Sequence, residues 1–295
     1  MNSAAGNATN ISHVRRFAGA KINLYLQITG KRADGYHLLD SLVVFADVGD
    51  EIAVWPADDL VLEISGRFGA EVPQGADNLV LKAAQALAQA AGIPPKARIG
   101  LRKQLPVASG IGGGSSNAAA ALAALAALWR LDLSEGEMDR IALLLGADVP
   151  VCRRGRAQHM TGIGEILAPV PGLPALPVVL VNPGITLPTA QVFASRTGGF
   201  SKLSPFPTLG PNLLHWIAAI RERDNDLQAP AMKLAPEIAM VLQAVADQRS
   251  ALLARMSGSG ATCFGIFPDL PAARAAAGAI GRAHPSWWVE AGSAA

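Results

Sequence analysis

The chain has 295 residues, 51% of them hydrophobic, and its 25 basic and 23 acidic side chains leave a formal net charge of +2. This balance argues against a protein that binds nucleic acid by electrostatic attraction. The two cysteines, Cys152 and Cys263, have neither a metal-binding spacing nor a disulfide framework, which favours a reducing, cytoplasmic location. No apolar run reaches the roughly 18 residues of a membrane helix, so no membrane span is predicted.

The first elements of the chain are a polar segment and a strand. Residues 1–16 are rich in Asn, Ser and Ala and lack the apolar centre of a signal peptide, so we expect a disordered extension. From Phe17 to Ile28, apolar residues alternate with polar ones, which predicts a β-strand. Lys21 lies at the start of this strand, where a lysine is often only a surface charge.

The segment after this strand contains a turn and two aromatic rings. Asp34-Gly35 is a turn signal, and Tyr36 and His37 follow it directly. Both residue types occur in ordinary turns, and the residues alone do not assign them a role. Lys103 lies three residues before Pro106. A lysine there can be either a solvated surface residue or a functional one. The elements predicted between them are two strands over 40–54 with a turn at 48–50, a strand at 60–64, a helix over 78–91 and a strand at 97–101.

Four glycines mark the most distinctive stretch, Pro106-Val-Ala-Ser-Gly-Ile-Gly-Gly-Gly-Ser-Ser-Asn117, which precedes an alanine-rich run to Trp129. Glycine permits positive φ and a close approach of the backbone to a ligand. Ser115, Ser116 and Asn117 are residue types that cap helices, so we expect them to begin a buried helix. Such a turn directs N–H groups and the positive end of the helix dipole at one point, which suits a phosphate. The alternative is a flexible turn before a core helix.

This glycine loop matches neither of the common nucleotide-binding motifs. No G-x-x-x-x-G-K-[ST] occurs in the sequence, which excludes a P-loop. Ser115 stands where a dinucleotide-binding fingerprint needs its third Gly or Ala. The sequence therefore predicts a phosphate loop of a third kind.

The remainder of the chain supplies one notable acid and a second glycine-rich loop. A helix is predicted from Ser134, which forms a capping-box pair with Glu137, to Gly146. Asp148 follows, and an aspartate there is commonly a turn residue. Prolines over 168–174 indicate a linker between two domains. The elements expected beyond it are a strand at 176–181, helices at 213–221, 232–246 and 272–283, and a Gly/Ser loop that enters a strand over 255–267.

Three of these segments resemble the three motifs of the GHMP kinases, a family that includes galactokinase, homoserine kinase and mevalonate kinase. They are the strand that carries Lys21, the glycine loop and the Gly/Ser loop at 255–267, and they occur in the family's order. The string Arg32-Ala-Asp-Gly-Tyr-His37 is similar to a signature of one branch, the kinases of 4-diphosphocytidyl-2-C-methyl-D-erythritol (CDP-methylerythritol). A homoserine or mevalonate kinase is the alternative and should lack this string.

The resemblance implies an enzyme that uses ATP and Mg²⁺ to phosphorylate the 2-hydroxyl of CDP-methylerythritol. It implies that Lys21 and Asp148 are catalytic, with Asp148 as the general base, and that Ser116 is the nearest candidate ligand for Mg²⁺. Tyr36 would stack on the cytosine and His37 would bond its polar edge. The residues implied to contact the substrate are Asn23, Tyr36, His37, Lys103 and Thr189. The residues implied to bind ATP are Pro106, Val107, Ala108, Ser109, Gly110, Ile111, Gly112, Gly113, Gly114, Ser115 and Ser116.

The resemblance also implies the fold, which is α+β with the active site in a cleft between two domains. The N-terminal domain, over 17–168, would be similar to a ribosomal S5 domain 2, and the C-terminal domain, over 169–295, would be ferredoxin-like. We expect a monomer or weak homodimer whose partner is a small-molecule substrate, with no nucleic acid or membrane partner. Ala108-Ser109 departs from the Gly-Gly common in close relatives, and Ser109 is expected to alter the loop's dihedral angles.

Overall fold

The computed structural model describes residues 13–295, which form ten strands and nine α-helices. The strands are β1 (Val14–Lys31), β2 (His37–Trp55), β3 (Leu60–Ser65), β4 (Ala97–Arg102), β5 (Gln158–Gly162), β6 (Ile166–Pro169), β7 (Leu176–Asn182), β8 (Leu253–Met256), β9 (Cys263–Ile266) and β10 (Trp288–Ala294). The helices are α1 (Leu79–Ala91), α2 (Gly113–Leu128), α3 (Glu135–Leu145), α4 (Val149–Arg154), α5 (Thr189–Ser195), α6 (Leu213–Arg221), α7 (Gln228–Leu234), α8 (Glu237–Ala246) and α9 (Leu270–Ala283). This mixture confirms the α+β class.

Strand pairing joins the two halves of the chain. Over the described residues the strand order is β3-β4-β2-β10-β7-β9-β8, with β1 and β5 also paired to β2, and β6 to β5. Strands β1 and β2 pair antiparallel over most of their length. The last strand, β10, meets β2 at the single register pair Ala46–Ala294. The first six strands with α1 to α4 therefore form one half, and the last four strands with α5 to α9 form the other.

Helix α2 is the central element of the first half. Its alanine and leucine side chains are buried in one hydrophobic cluster with residues of β2, β4 and α1. These residues are strong helix formers, and alanine is small enough for close packing against a sheet. Because α2 also packs on β1, its N-terminus is fixed relative to the strand that carries Lys21.

Two predicted breaks are placed wrongly. The turn expected at 48–50 does not occur, because β2 runs through it. A Cβ on Gly49 would clash with the Ala18 carbonyl of β1, so this glycine serves a close backbone approach rather than a turn. The single helix expected over 232–246 is two helices, since Pro236 has no N–H to donate and α8 begins after it.

The first domain begins earlier than its predicted limit, residue 17, and its predicted end falls within a strand. Strand β1 begins at Val14, so residues 14–16 belong to the first domain rather than to the expected extension. Residues 1–12, the rest of that extension, lie outside the described residues. The domain boundary predicted after residue 168 falls within β6 and stays a prediction. Within 13–295, no helix is both long enough and apolar enough to span a bilayer.

Candidate active site

The glycine loop leads into a helix whose N-terminus faces a cleft. Helix α2 begins at Gly113, and Gly112 is its N-cap with a left-handed φ of 63°. The cap expected at Ser115 to Asn117 is wrong, because glycine takes this cap conformation without steric cost and starts the helix earlier. The first N–H groups of a helix have no intrahelical partner, and here Gly113, Gly114 and Ser115 line the cleft. This end of α2 carries partial positive charge and suits an anion.

Ala108 and Ser109, which stand where close relatives often have Gly-Gly, affect the loop in different ways. Ala108 has a φ of 50°, a left-handed conformation that costs an L-residue about 1–2 kcal/mol. Ser109 is buried, and its hydroxyl donates to the Pro106 carbonyl oxygen at 2.7 Å. The dihedral distortion expected at Ser109 thus lies at Ala108, whereas the Ser109 side chain closes the turn.

Lys21 and Asp148 meet beside this end of α2. The Lys21 Nζ lies 2.8 Å from an Asp148 carboxylate oxygen, and the side chains are 5% and 42% exposed, respectively. The Lys21 backbone N–H donates to the Ile111 carbonyl oxygen at 2.9 Å. A Cβ on Gly112 would lie 3.0 Å from the Lys21 Cβ, so the lysine is packed against the loop. The pair therefore combines a buried ammonium with a carboxylate that remains accessible from the cleft.

Ser116 and Cys152 lie behind this ion pair and line a different depression of the surface. The Ser116 hydroxyl donates to the Gly19 carbonyl oxygen at 2.9 Å and lies 3.4 Å from the Cys152 Sγ. This hydroxyl holds α2 against β1, and its position gives no support to Ser116 as a Mg²⁺ ligand. Burial raises the pKa of the Cys152 thiol to about 12, so the thiol is protonated at neutral pH and a poor nucleophile.

The Gly/Ser loop at 255–267 closes on the glycine loop from the second half of the chain. The Ser257 hydroxyl donates to the Gly110 carbonyl oxygen at 3.1 Å and accepts the Asn23 backbone N–H at 3.1 Å. Gly110 has a φ of 76°, and a Cβ there would lie 2.6 Å from the Gly260 carbonyl oxygen. Position 110 thus requires glycine for both conformation and space. Each loop depends on the other for its shape.

Asn23 lies in the wall of the cleft with one polar atom unpaired. Its Nδ2 donates to the Ser41 hydroxyl at 2.8 Å. Its Oδ1 is buried and has no hydrogen-bond partner among residues 13–295. A buried acceptor without a partner costs about 1–3 kcal/mol. The arrangement suits a ligand that brings a hydroxyl donor to this oxygen.

Phe193 lines one edge of the cleft and contacts the ring of His37, and we call these two residues and the neighbouring Tyr36 the aromatic edge. The His37 and Phe193 rings are 5.1 Å apart, centroid to centroid, with an interplanar angle of 31°. Phe193 and Thr189 both line the cleft, and the Thr189 hydroxyl lies 2.8 Å from that of Ser259. Tyr36 is 58% exposed, which is unusual for so large a ring. This edge offers aromatic faces to a planar ligand.

The charge of His37 follows from its surroundings. Burial, followed by the nearby Lys31 and Arg196 charges, lowers the pKa of His37 below its ordinary value. Its imidazole is therefore neutral at pH 7 and can both donate and accept a hydrogen bond. Phe193, its ring partner, was missed in the sequence. The available signal was its spacing of four from Thr189, which puts both on one face of a helix.

Lys103 borders the cleft from the side of the glycine loop. Its ammonium forms a buried ion pair with Asp50. The Lys103 Nζ lies 2.8 Å from the position that a Cβ on Gly113 would occupy, so it adjoins the first residue of α2. Asp50 also accepts the Asn117 Nδ2 at 2.9 Å. The resemblance implied a substrate contact for Lys103, whereas its surroundings here belong to the predicted phosphate loop.

These groups surround one cleft with a volume of about 440 Å³. Of the other predicted residues, Ile111 is buried beneath the loop, and Tyr36, His37 and Ser116 are outside the lining. The predicted residues that line it are Lys21, Asn23, Lys103, Pro106, Val107, Ala108, Ser109, Gly110, Gly112, Gly113, Gly114, Ser115, Asp148 and Thr189. Lining residues that the sequence analysis missed include Val72, Pro73, Asp77, Asn78, Leu101 and Phe193, and the Gly/Ser loop at 255–267 adds Gly258 and Ser259.

Comparison with known proteins connects this geometry to a family. Residues 78–156 match the model of the GHMP kinases N terminal domain, and residues 211–286 match that of the GHMP kinases C terminal domain. A 4-diphosphocytidyl-2-C-methyl-D-erythritol kinase of Paramagnetospirillum magneticum is 50% identical over 272 residues, which cover 92% of this chain and 95% of the relative. The chain belongs to the GHMP kinase family.

Further relatives and solved structures share the sequence or the fold of this chain. A kinase of the same name from Cereibacter sphaeroides is 54% identical over 92% of this chain and 96% of its own length. A crystal structure of 4-(cytidine 5'-diphospho)-2C-methyl-D-erythritol kinase is 34% identical, with a TM-score of 0.78 over 95% of this chain and 98% of that one. A homoserine kinase from Cytophaga hutchinsonii has a TM-score of 0.73 at 17% identity over 99% and 96% of the two chains, which shows the shared fold alone. The GHMP kinase fold implied by the sequence is confirmed.

Proposed function

We propose that this GHMP kinase transfers the γ-phosphoryl group of ATP to the 2-hydroxyl of CDP-methylerythritol. The observation that carries the proposal is the Lys21–Asp148 pair, held 2.8 Å apart beside the N-terminus of α2 in a cleft. Relatives about 50% identical over most of the chain bear the name of this kinase. The alternative of a homoserine or mevalonate kinase has in its support fold similarities at 17% and 14% identity, which show the fold alone. Two buried free thiols fit a reducing compartment, and we place the enzyme in the cytoplasm.

The ATP phosphates would bind at the glycine loop. The loop and the first turn of α2 present backbone N–H groups and the positive end of the helix dipole to the cleft. Phosphoryl transfer needs little covalent chemistry from the protein, so positioning and electrostatic stabilisation dominate catalysis. The adenine base of ATP would lie against the apolar part of the cleft lining, which includes Val72, Pro73 and Leu101.

Asp148 would act as the general base. Its accessible carboxylate can accept the proton of the substrate hydroxyl as that oxygen attacks the γ-phosphorus. The bond between the γ-phosphorus and the bridging oxygen breaks, and ADP leaves with that oxygen. The neighbouring Lys21 ammonium stabilises negative charge that develops on the transferred group. Asp148 would thus accept the proton, and Lys21, in contact with it, would stabilise the developing charge.

The aromatic edge would bind the nucleotide part of the acceptor substrate. A cytosine ring can stack on Phe193 and Tyr36, since every base presents a π-face to an aromatic side chain. The neutral His37 imidazole can both donate to and accept from the polar edge of the base. The unpaired Oδ1 of Asn23 supplies an acceptor for a hydroxyl of the methylerythritol part.

Mg²⁺ would accompany ATP rather than occupy a protein cage. Residues 13–295 contain no cluster of three or more His, Cys, Asp and Glu side chains suited to a metal ion. Mg²⁺ in kinases is commonly held by substrate phosphates, waters and one or two carboxylates. Among residues 13–295, the carboxylates that line the cleft are Asp77 and Asp148. Because Asp148 pairs with Lys21 and is assigned as the base, Asp77 is the candidate for that role. The ion supplies neutralisation of phosphate charge.

The identity of the acceptor is tested by comparing three candidate substrates in separate assays. Purified enzyme is incubated with ATP and Mg²⁺ and with CDP-methylerythritol, homoserine or mevalonate, and ADP release is measured for each. We expect turnover with CDP-methylerythritol alone, because only this acceptor carries a base for the aromatic edge. Turnover of homoserine or mevalonate at a comparable kcat/KM would reject the proposal.

Phe193→Ala tests the binding of the base at the aromatic edge. Loss of one stacking face, worth about 1–3 kcal/mol, is expected to raise KM for CDP-methylerythritol by about 5- to 150-fold. KM for ATP should stay unchanged. The control is Phe17→Ala, which removes a 53% exposed ring that does not line the cleft. An increase confined to KM for ATP would place the nucleoside of ATP, not that of the acceptor, at Phe193.

A further inference from the structure

One buried carboxylate ties together the elements around the glycine loop. Asp50 of β2 is fully buried. Its Oδ1 accepts the backbone N–H groups of Gln104 at 2.6 Å and Leu105 at 2.8 Å. Its Oδ2 accepts the Asn117 Nδ2 at 2.9 Å and the Lys103 ammonium. A single side chain thereby links β2, the segment that enters the loop, and the second turn of α2.

The lysine in this network is directed at the start of α2. The Lys103 side chain is 4% exposed, yet the residue lines the cleft. Its Nζ lies 2.8 Å from where a Cβ on Gly113 would be. An ammonium is thus held next to the positive end of a helix dipole, which is unfavourable unless an anion joins them. Asp50 offsets part of this positive charge and leaves the rest for a ligand.

We propose that Asp50 is a positioning residue that holds the Lys103 ammonium at the first turn of α2, where Lys103 binds the phosphates of ATP. The inference rests on the proposed function in that it takes ATP as the phosphoryl donor. It assigns Lys103 to the donor nucleotide, in contrast to the acceptor contact that the sequence resemblance implied. Asp50 itself touches no reactant and acts through Lys103.

The charge on Lys103 depends on this partner. Burial lowers the pKa of Lys103, and the Asp50 carboxylate opposes that effect. The other charged residues that line the cleft are Lys21, Asp77 and Asp148. Without the Asp50 charge, the Lys103 pKa should fall further, and the ammonium should lose its proton at a lower pH. The affinity of Asp50→Asn for the nucleotide should therefore decline as pH rises from 7 to 9. The affinity of the wild-type enzyme should change less over the same range.

The test measures the Kd of a non-hydrolysable ATP analogue with Mg²⁺ by calorimetry, together with the unfolding midpoint of each variant. Lys103→Met is expected to weaken analogue binding about 10-fold or more, as for loss of a charged hydrogen bond, with KM for the acceptor unchanged. Asp50→Asn leaves the buried Lys103 ammonium without its counter-ion, so this variant should have a much lower unfolding midpoint. The double variant, Asp50→Asn with Lys103→Met, removes both charges. It should regain stability but not affinity for the analogue.

Asp40→Asn is the matched control for loss of a buried carboxylate. Asp40 is also fully buried and accepts the Tyr25 hydroxyl at 2.9 Å, but it does not line the cleft. This variant should lose stability with no change in analogue Kd or in its pH dependence. Should Asp50→Asn fail to fold, Lys103→Met and the double variant still decide the matter.

Two outcomes would overturn the inference. One is a double variant that regains wild-type analogue affinity together with stability, since the network would then be purely structural. The other is a Lys103→Met variant that raises KM for the acceptor while the analogue Kd is unchanged. The proposed acceptor is tested separately: an enzyme inactive on CDP-methylerythritol that still shows the predicted analogue-binding pattern would reject the acceptor and retain the role of Asp50.

Discussion

Asp148→Asn is expected to lower kcat by about 10²–10⁴-fold, the range for loss of a general base. Asparagine keeps the size of aspartate and an oxygen that can accept from Lys21, so the 2.8 Å contact can persist. What the variant loses is the ability to take a proton from the attacking hydroxyl. Because that ability matters only in the transition state, kcat and kcat/KM should fall by the same factor.

Steady-state kinetics with both substrates and the Kd of an ATP analogue measure this effect. The analogue Kd should change by less than about threefold, since Asp148 accepts a proton rather than binding the nucleotide. Asp247→Asn, at the exposed end of α8, is the control for the chemical change alone and should keep wild-type kcat. Near-normal turnover by Asp148→Asn would rule out the base assignment.

Gly110→Ala is expected to lower the free energy of unfolding by about 2–5 kcal/mol and to weaken ATP binding. The left-handed φ of 76° costs alanine about 1–2 kcal/mol. The new methyl group would lie 2.6 Å from the Gly260 carbonyl oxygen and 2.7 Å from that of Ser257, and such overpacking adds about 1–3 kcal/mol. Both contacts are to backbone, so relief requires the two loops to separate. The phosphate loop should then lose the shape that binds ATP.

Gly92→Ala separates the conformational cost from the steric one. Gly92 caps α1 with a similar left-handed φ of 66°, and a Cβ there would meet nothing within 4 Å. The free energy of unfolding of this variant should fall by only about 1–2 kcal/mol, and its affinity for an ATP analogue should equal that of the wild type. Chemical denaturation and calorimetry on both variants provide the comparison. Equal destabilisation by the two substitutions, with ATP affinity intact in Gly110→Ala, would show that the loops do not depend on each other.

Local patterns in the sequence predicted most elements well. The capping box of Ser134 and Glu137 begins α3 as expected. Asn78 caps α1, which ends at Gly92 in the left-handed conformation. These features depend on residues only a few positions apart, so their physical causes are contained in the sequence. The same reasoning failed at 48–50, where Gly49 meets another strand rather than making a turn.

The family, the order of its three motifs and the residue types available for phosphoryl transfer can all be inferred from the amino-acid sequence. Which of these residues come into contact depends on the folded chain. Folding brings Lys21 to Asp148 and Lys103 to Asp50, and it leaves the Asn23 Oδ1 without a partner among residues 13–295. Ion pairs and buried hydrogen bonds act over only a few ångströms in space. Which distant segments approach that closely depends on the packing of α2 and on the pairing of the two loops, which no local pattern specifies.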